Sequence, residues 1–226
     1  MNTEPDHADH PLLCTDLRSL AGLQYLVSAA QGSYLVRDEL SGWMSRLALC
    51  ERRAASVLVW SGWAVPALVR TPAYAAAICD GPHFPKYQAE IATCPDRSVP
   101  VPCARPVTVV LDETILTRWI GGAQVAAEQL GHLAELTESG HVLVQIVPLT
   151  SPVILPTEAV SQLGLVEGYL YTEESNGATY STGPIEGAKR QRLLEAALAA
   201  ALPIRQSLDR LRQARDELRG RAIRRP

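Results

Sequence analysis

Pro106 to Leu149 reads PVTVVLDETILTRWIGGAQVAAEQLGHLAELTESGHVLVQIVPL, and the fold follows from this stretch. Val107 to Leu111 is a β-branched run between a proline and two acids, the pattern of a buried strand. Asp112-Glu113-Thr114 then opens a helical pattern, with acids where a helix N-terminus favours negative charge. Gly121-Gly122 interrupts it. A second helix follows, with Val125, Ala126, Gln129, Leu130, Leu133 and Leu136 on one face, and Gly140 ends it. Val142 to Val147 is another buried strand. A strand–helix–helix–strand unit requires a sheet with helices packed on it.

Upstream, residues 1–12 read as a disordered tail, and residues 13–226 as a single α/β domain with a C-terminal helical extension. Thr15-Asp16 caps a first helix reaching about Ala30, and Gln31-Gly32-Ser33 breaks it. A second helix is expected from Asp38 to Arg53, and a strand over Ser56 to Trp60 unless that helix runs on. Thr71-Pro72 starts a short helix that Asp80-Gly81-Pro82 stops. Four prolines between Thr93 and Pro106 mark a loop, a candidate lid or pocket wall. Downstream, short strands include Gly168–Thr172 and Ala178–Ser181, joined by a turn at Asn176-Gly177. From Pro184 onward the chain is helical, and Pro203 restarts the helix. Leu193, Leu194, Ala197, Leu198 and Ala201 form one stripe, and Ile204, Leu208, Leu211 and Leu218 another. The second stripe suits docking on the domain or a homodimer partner. The fold class is α/β (α+β): a mixed or antiparallel central sheet flanked by helices, with a long C-terminal helix.

Composition narrows the function classes. The chain has 226 residues, 47% of them hydrophobic, and a net charge of −3. No apolar run reaches the roughly 20 residues that span a membrane, and the N-terminus has no secretory pattern, so a cytoplasmic protein is expected. The acidic balance argues against nucleic-acid binding. Residues 38–53 offer three arginines offset by three acids, a poor recognition helix. Five cysteines without framework spacing suggest reduced thiols. Cys94 and Cys103 lack further ligands for a metal site, so no metal is expected. Hydrolase, nucleotide-loop and zinc-protease motifs are absent from the sequence, and no cofactor is expected.

The central unit resembles the DUF5753 family, the domain that follows helix-turn-helix readers in many actinobacterial regulators. The resemblance rests on Val109 to Glu113, Ile115-Leu116, Arg118, Gly121-Gly122, Gln129-Leu130, Leu133 and Val144 to Pro148. Val65 to Ala75 is similar to that family's PGLLQT-x-x-YA signature, and Tyr169 to Thr172 falls where the family has a late strand. It spans about residues 45–215. Two departures stand out. The signature glutamine is Arg70 and its glycine is Ala67. The segment ahead of the domain differs in character from the usual DNA reader.

An Arg, a His and a Glu in the order Arg70, His83, Glu90 are similar to the set in bacterial Pictet–Spengler cyclases of the marinacarboline and streptonigrin type. That resemblance implies condensation of a tryptophan-type amine with an aldehyde to a tetrahydro-β-carboline, without a cofactor. Glu90 is then the proton acceptor and donor, Arg70 the substrate anchor and His83 an assisting proton carrier. Trp60, Trp63, Tyr74, Phe84 and Tyr87 are candidates for an indole pocket. Glu113, at the end of the central strand, is a second candidate carboxylate. Blander roles stand beside these: Arg70 paired with a carboxylate, Asp112-Glu113 as a helix cap and ion pair, the aromatics as core. The competing function is a stand-alone ligand-sensing or protein-interaction module of a transcriptional regulator family.

Overall fold

The computed structural model describes residues 34–38, 42–79, 105–165, 168–174 and 177–223. Its centre is a seven-stranded mixed sheet in the order β1-β7-β6-β5-β2-β3-β4. The strands are β1 (Tyr34–Asp38), β2 (Ser56–Ser61), β3 (Val107–Asp112), β4 (Leu143–Val147), β5 (Ala159–Leu165), β6 (Gly168–Glu174) and β7 (Ala178–Thr182). β2, β3 and β4 run parallel, with Val59 beside Val109 and Val109 beside Val144. The remaining pairings are antiparallel. The mixed α/β architecture expected from the sequence is therefore present, and its long C-terminal helix with it.

The helices are α1 (Trp43–Arg53), α2 (Pro72–Cys79), α3 (Gly122–Glu138), α4 (Ala188–Ala200) and α5 (Ile204–Ile223). The side-chain alternation of a strand divides the core in two. Val57 and Val59 of β2 join Val107, Val109 and Leu111 of β3 in the larger layer, with Leu47 of α1, Leu130 and Leu133 of α3, and Leu211 and Leu218 of α5. Trp60 faces the other way, into a layer with Val110, Val160, Tyr171, Leu194 and Ala197. Burial of Leu211 and Leu218 contributes about 1.5–3 kcal/mol each, which explains why α5 docks on its own domain. The leucine stripe that suggested a dimer is thus spent largely inside the chain.

The linker between α4 and α5 closes the sheet edge at β4. Leu202 N–H donates to Ile146 O at 2.8 Å, and Ile146 N–H donates to the Ser207 hydroxyl at 3.0 Å. Edge groups that would otherwise be open to another chain are satisfied within the molecule.

Two local expectations change and one is met. The helix expected from Asp38 begins at Trp43. Asp38 closes β1, fully buried, and its carboxylate accepts both Nε–H and Nη2–H of Arg46 at 2.6 Å. The run 56–60 is a strand, not a continuation of that helix. The segment after Asp112 is a short 3-10 turn, Glu113–Thr117, rather than an α-helix. Asp112 nevertheless caps it, accepting Thr114 N–H at 2.8 Å. Elsewhere Thr71 caps α2 through Tyr74 N–H at 3.3 Å, and Gly140 follows α3 with φ 74°. The tail at 1–12, the first helix at 15–30 and the proline-rich loop from Thr93 to Ala104 lie outside the described residues.

Candidate ligand site

The segment Val65 to Tyr74 leaves the C-terminal end of β2 and is held from several directions. Gln129 of α3, buried, grips it with both ends of its amide: Oε1 accepts Thr71 N–H at 2.7 Å, and Nε2 donates to Val69 O at 2.8 Å. Arg70 Nε donates to Val65 O at 2.6 Å. Val65 N–H donates to the Tyr74 hydroxyl oxygen at 3.3 Å. The hydroxyl's own proton has no acceptor among the described residues. Burial pushes the Tyr74 hydroxyl up from its ordinary value, while the Val65 N–H and the Arg70 and Arg118 guanidiniums pull it down.

Arg118 follows the 3-10 turn and precedes the Gly121-Gly122 corner. This corner abuts α2 so closely that a Cβ on Gly121 would stand 2.8 Å from the Ala77 Cβ. Arg118 is exposed and has no ion pair or hydrogen bond from its side chain among the described residues. Trp119 beside it carries Arg221 of α5 over its ring, 5.2 Å from the centroid. Val65 thus links Arg70 and Tyr74, its carbonyl taking Arg70 Nε–H and its N–H reaching the Tyr74 hydroxyl oxygen.

The other sequence-derived candidates are placed as follows. Glu113 Oε2 accepts Leu149 N–H at 2.8 Å, and Oε1 pairs with Arg210 of α5 at 3.1 Å. Its carboxylate ties the strand ends to the C-terminal helix. Trp60 is buried on the opposite side of the sheet from Tyr74 and Trp63, and its Nε1–H donates to Pro156 O at 2.8 Å. One indole pocket cannot include all three, because residues on opposite faces of a strand do not converge. Trp63 is half-buried against the larger core layer. His83, Phe84, Tyr87 and Glu90 lie outside the described residues.

The crevice expected at the carboxyl ends of the parallel strands is crossed by a loop. Gly62 N–H donates to Thr157 O at 3.1 Å, and a Cβ on Gly62 would lie 2.7 Å from Pro156 O. Only glycine admits so close a backbone approach. Arg118 is the residue that the sequence reading passed over as chemistry. In the sequence it stands out only as one of the family motif residues before Gly121-Gly122.

No curated protein matches the chain. Among solved structures, one chain described as the structure of TrmBL2, an archaeal chromatin protein, superposes with a TM-score of 0.34 at 10% identity. The match covers 75% of this chain and 53% of that one, so the chain spans about half the length of the structure it resembles. Residues 44–213 match the family model described as a domain of unknown function, DUF5753, and the chain belongs to that family.

Proposed function

We propose that this chain is a ligand-sensing module, a regulator-type domain that binds a small molecule rather than transforming one. The observation that carries this reading is the clamp on Val65–Tyr74. Gln129 fixes the backbone on both sides of Arg70, leaving a preorganised, half-buried arginine beside a buried phenol. Preorganisation of this kind favours binding, because little ordering remains to be done when a ligand arrives. Gln129 also connects the segment directly to α3, which packs on α5, so occupancy has a rigid route to the long C-terminal helix.

The Pictet–Spengler reading draws support from Arg70 standing beside Tyr74, where an anchored amino acid carboxylate would sit. It needs a free carboxylate for proton transfer. Glu113 is engaged by Arg210 and by Leu149 N–H, which favours a structural role for it. Equilibrium dialysis of the protein against a mixed pool of metabolites, with mass detection on both sides, separates the two. A compound retained unchanged supports sensing. Conversion of the pool into new masses refutes it.

A further inference from the structure

We infer that the loop leaving β4, residues 149–156, is the contact through which two copies of this chain associate about a two-fold axis.

The loop is anchored at both ends and turned outward between them. At one end Leu149 N–H donates to Glu113 Oε2 at 2.8 Å. At the other, Trp60 Nε1–H donates to Pro156 O at 2.8 Å, Gly62 N–H donates to Thr157 O at 3.1 Å, and Leu155 packs on the Trp60 layer. Between these anchors the outward side chains are aliphatic: Ile154 is 97% exposed, Leu149 64% and Val153 39%. Neither Ile154 nor Leu155 gives its N–H to a backbone carbonyl among the described residues. An anchored, exposed, apolar segment with open backbone groups invites another chain to cover it.

Three observations select a second copy as that chain. Residues 142–157 contain no Asp, Glu, Lys or Arg, although the chain has 24 acids and 21 Lys and Arg. The charges bordering Leu149, Glu113 and Arg210, already neutralise each other at 3.1 Å. A partner recognised by charge has no counterpart here, whereas a neutral apolar patch is complementary to itself, as a two-fold contact requires. Three side chains so exposed supply a few hundred Å² of apolar surface, enough for the core of an interface that takes about 800 Å² from each partner. Two other routes to a dimer are closed within the molecule, because the β4 edge is bonded by Leu202 and Ser207 and the α5 leucines are buried.

Sedimentation equilibrium of the full chain, from about 1 to 100 µM, tests this. Wild type is expected to approach twice the monomer mass within that range. Ile154→Asp sets two like charges against each other across the axis and is expected to weaken association about tenfold or more, whereas Ile154→Leu retains it. Ile154 is almost wholly in solvent, so neither variant disturbs the fold, and an unchanged far-ultraviolet circular dichroism spectrum checks this. Tyr169→Asp, at an exposed position on β6, is the control and leaves association as in wild type. A wild type that stays monomeric overturns the inference and leaves the loop to a different protein. Association in Ile154→Asp as tight as in wild type, or equal weakening by Tyr169→Asp, also overturns it.

Discussion

Gln129 makes two hydrogen bonds, one buried and one part-buried, to the backbone of a segment 58 and 60 residues away in sequence. Gln129→Ala strands the Thr71 N–H and the Val69 carbonyl. Each orphan costs about 1–3 kcal/mol, so a loss of about 2–6 kcal/mol is expected in urea denaturation. Cys50 makes a second residue-scale prediction. Burial, first, and then the neighbouring Glu51 push its thiol up from 9.0 to about 12. Because the folded value lies above the unfolded one, its contribution is fully present below pH 9 and is lost as pH rises toward 12. Stability measured across that window falls with pH, and Cys50→Ala flattens the fall. Tyr180, also pushed up by burial, adds to the same alkaline loss. Some residue roles were legible in the sequence. Asp112 as a cap and Glu113 as an ion-pair partner follow from acids at the start of a helical turn. The partner Arg210 was not legible, since nothing local in a sequence says which distant helix docks there.

At the scale of elements, hydrophobic periodicity placed β2, β3, β4 and α3 within a residue or two. It failed at Asp38, where a buried ion pair with Arg46 overrides the helix-like appearance of an acid before an apolar stripe. Periodicity also separates Trp60 from Val59 by one residue and therefore by one sheet face, which the aromatic count alone conceals. The Gly121-Gly122 corner is where element geometry meets the candidate site. Both glycines have positive φ, 75° and 88°. A Cβ at Gly122 meets open space, whereas one at Gly121 meets Ala77 and Val125 at 2.8 Å. Gly122→Ala is expected to cost about 1–2 kcal/mol from the left-handed backbone alone. Gly121→Ala adds about 1–3 kcal/mol of overpacking. Thermal melts of the two variants read the difference directly, and equal melting temperatures would show that the corner does not press on α2.

For the molecule as a whole, three layers support one surface. The β4 edge is closed by the Leu202–Ser207 linker, and α5 lies against α3 with Leu211 and Leu218 buried. α3 in turn holds the segment carrying Arg70. The family motifs were readable because they specify this scaffold: strand, Gly-Gly corner, Gln on the helix, signature segment. The close approach of the Gly-Gly corner to α2 was not, because it depends on how α3 packs beside that helix. The central claim is that this scaffold binds without reacting. Its most direct test is equilibrium dialysis against a metabolite pool that includes tryptophan and a series of aldehydes, with masses followed on both sides of the membrane. The account predicts a compound retained at up to one equivalent per chain with the pool otherwise unchanged. A new mass corresponding to a tetrahydro-β-carboline, or retention of nothing at all, would contradict it.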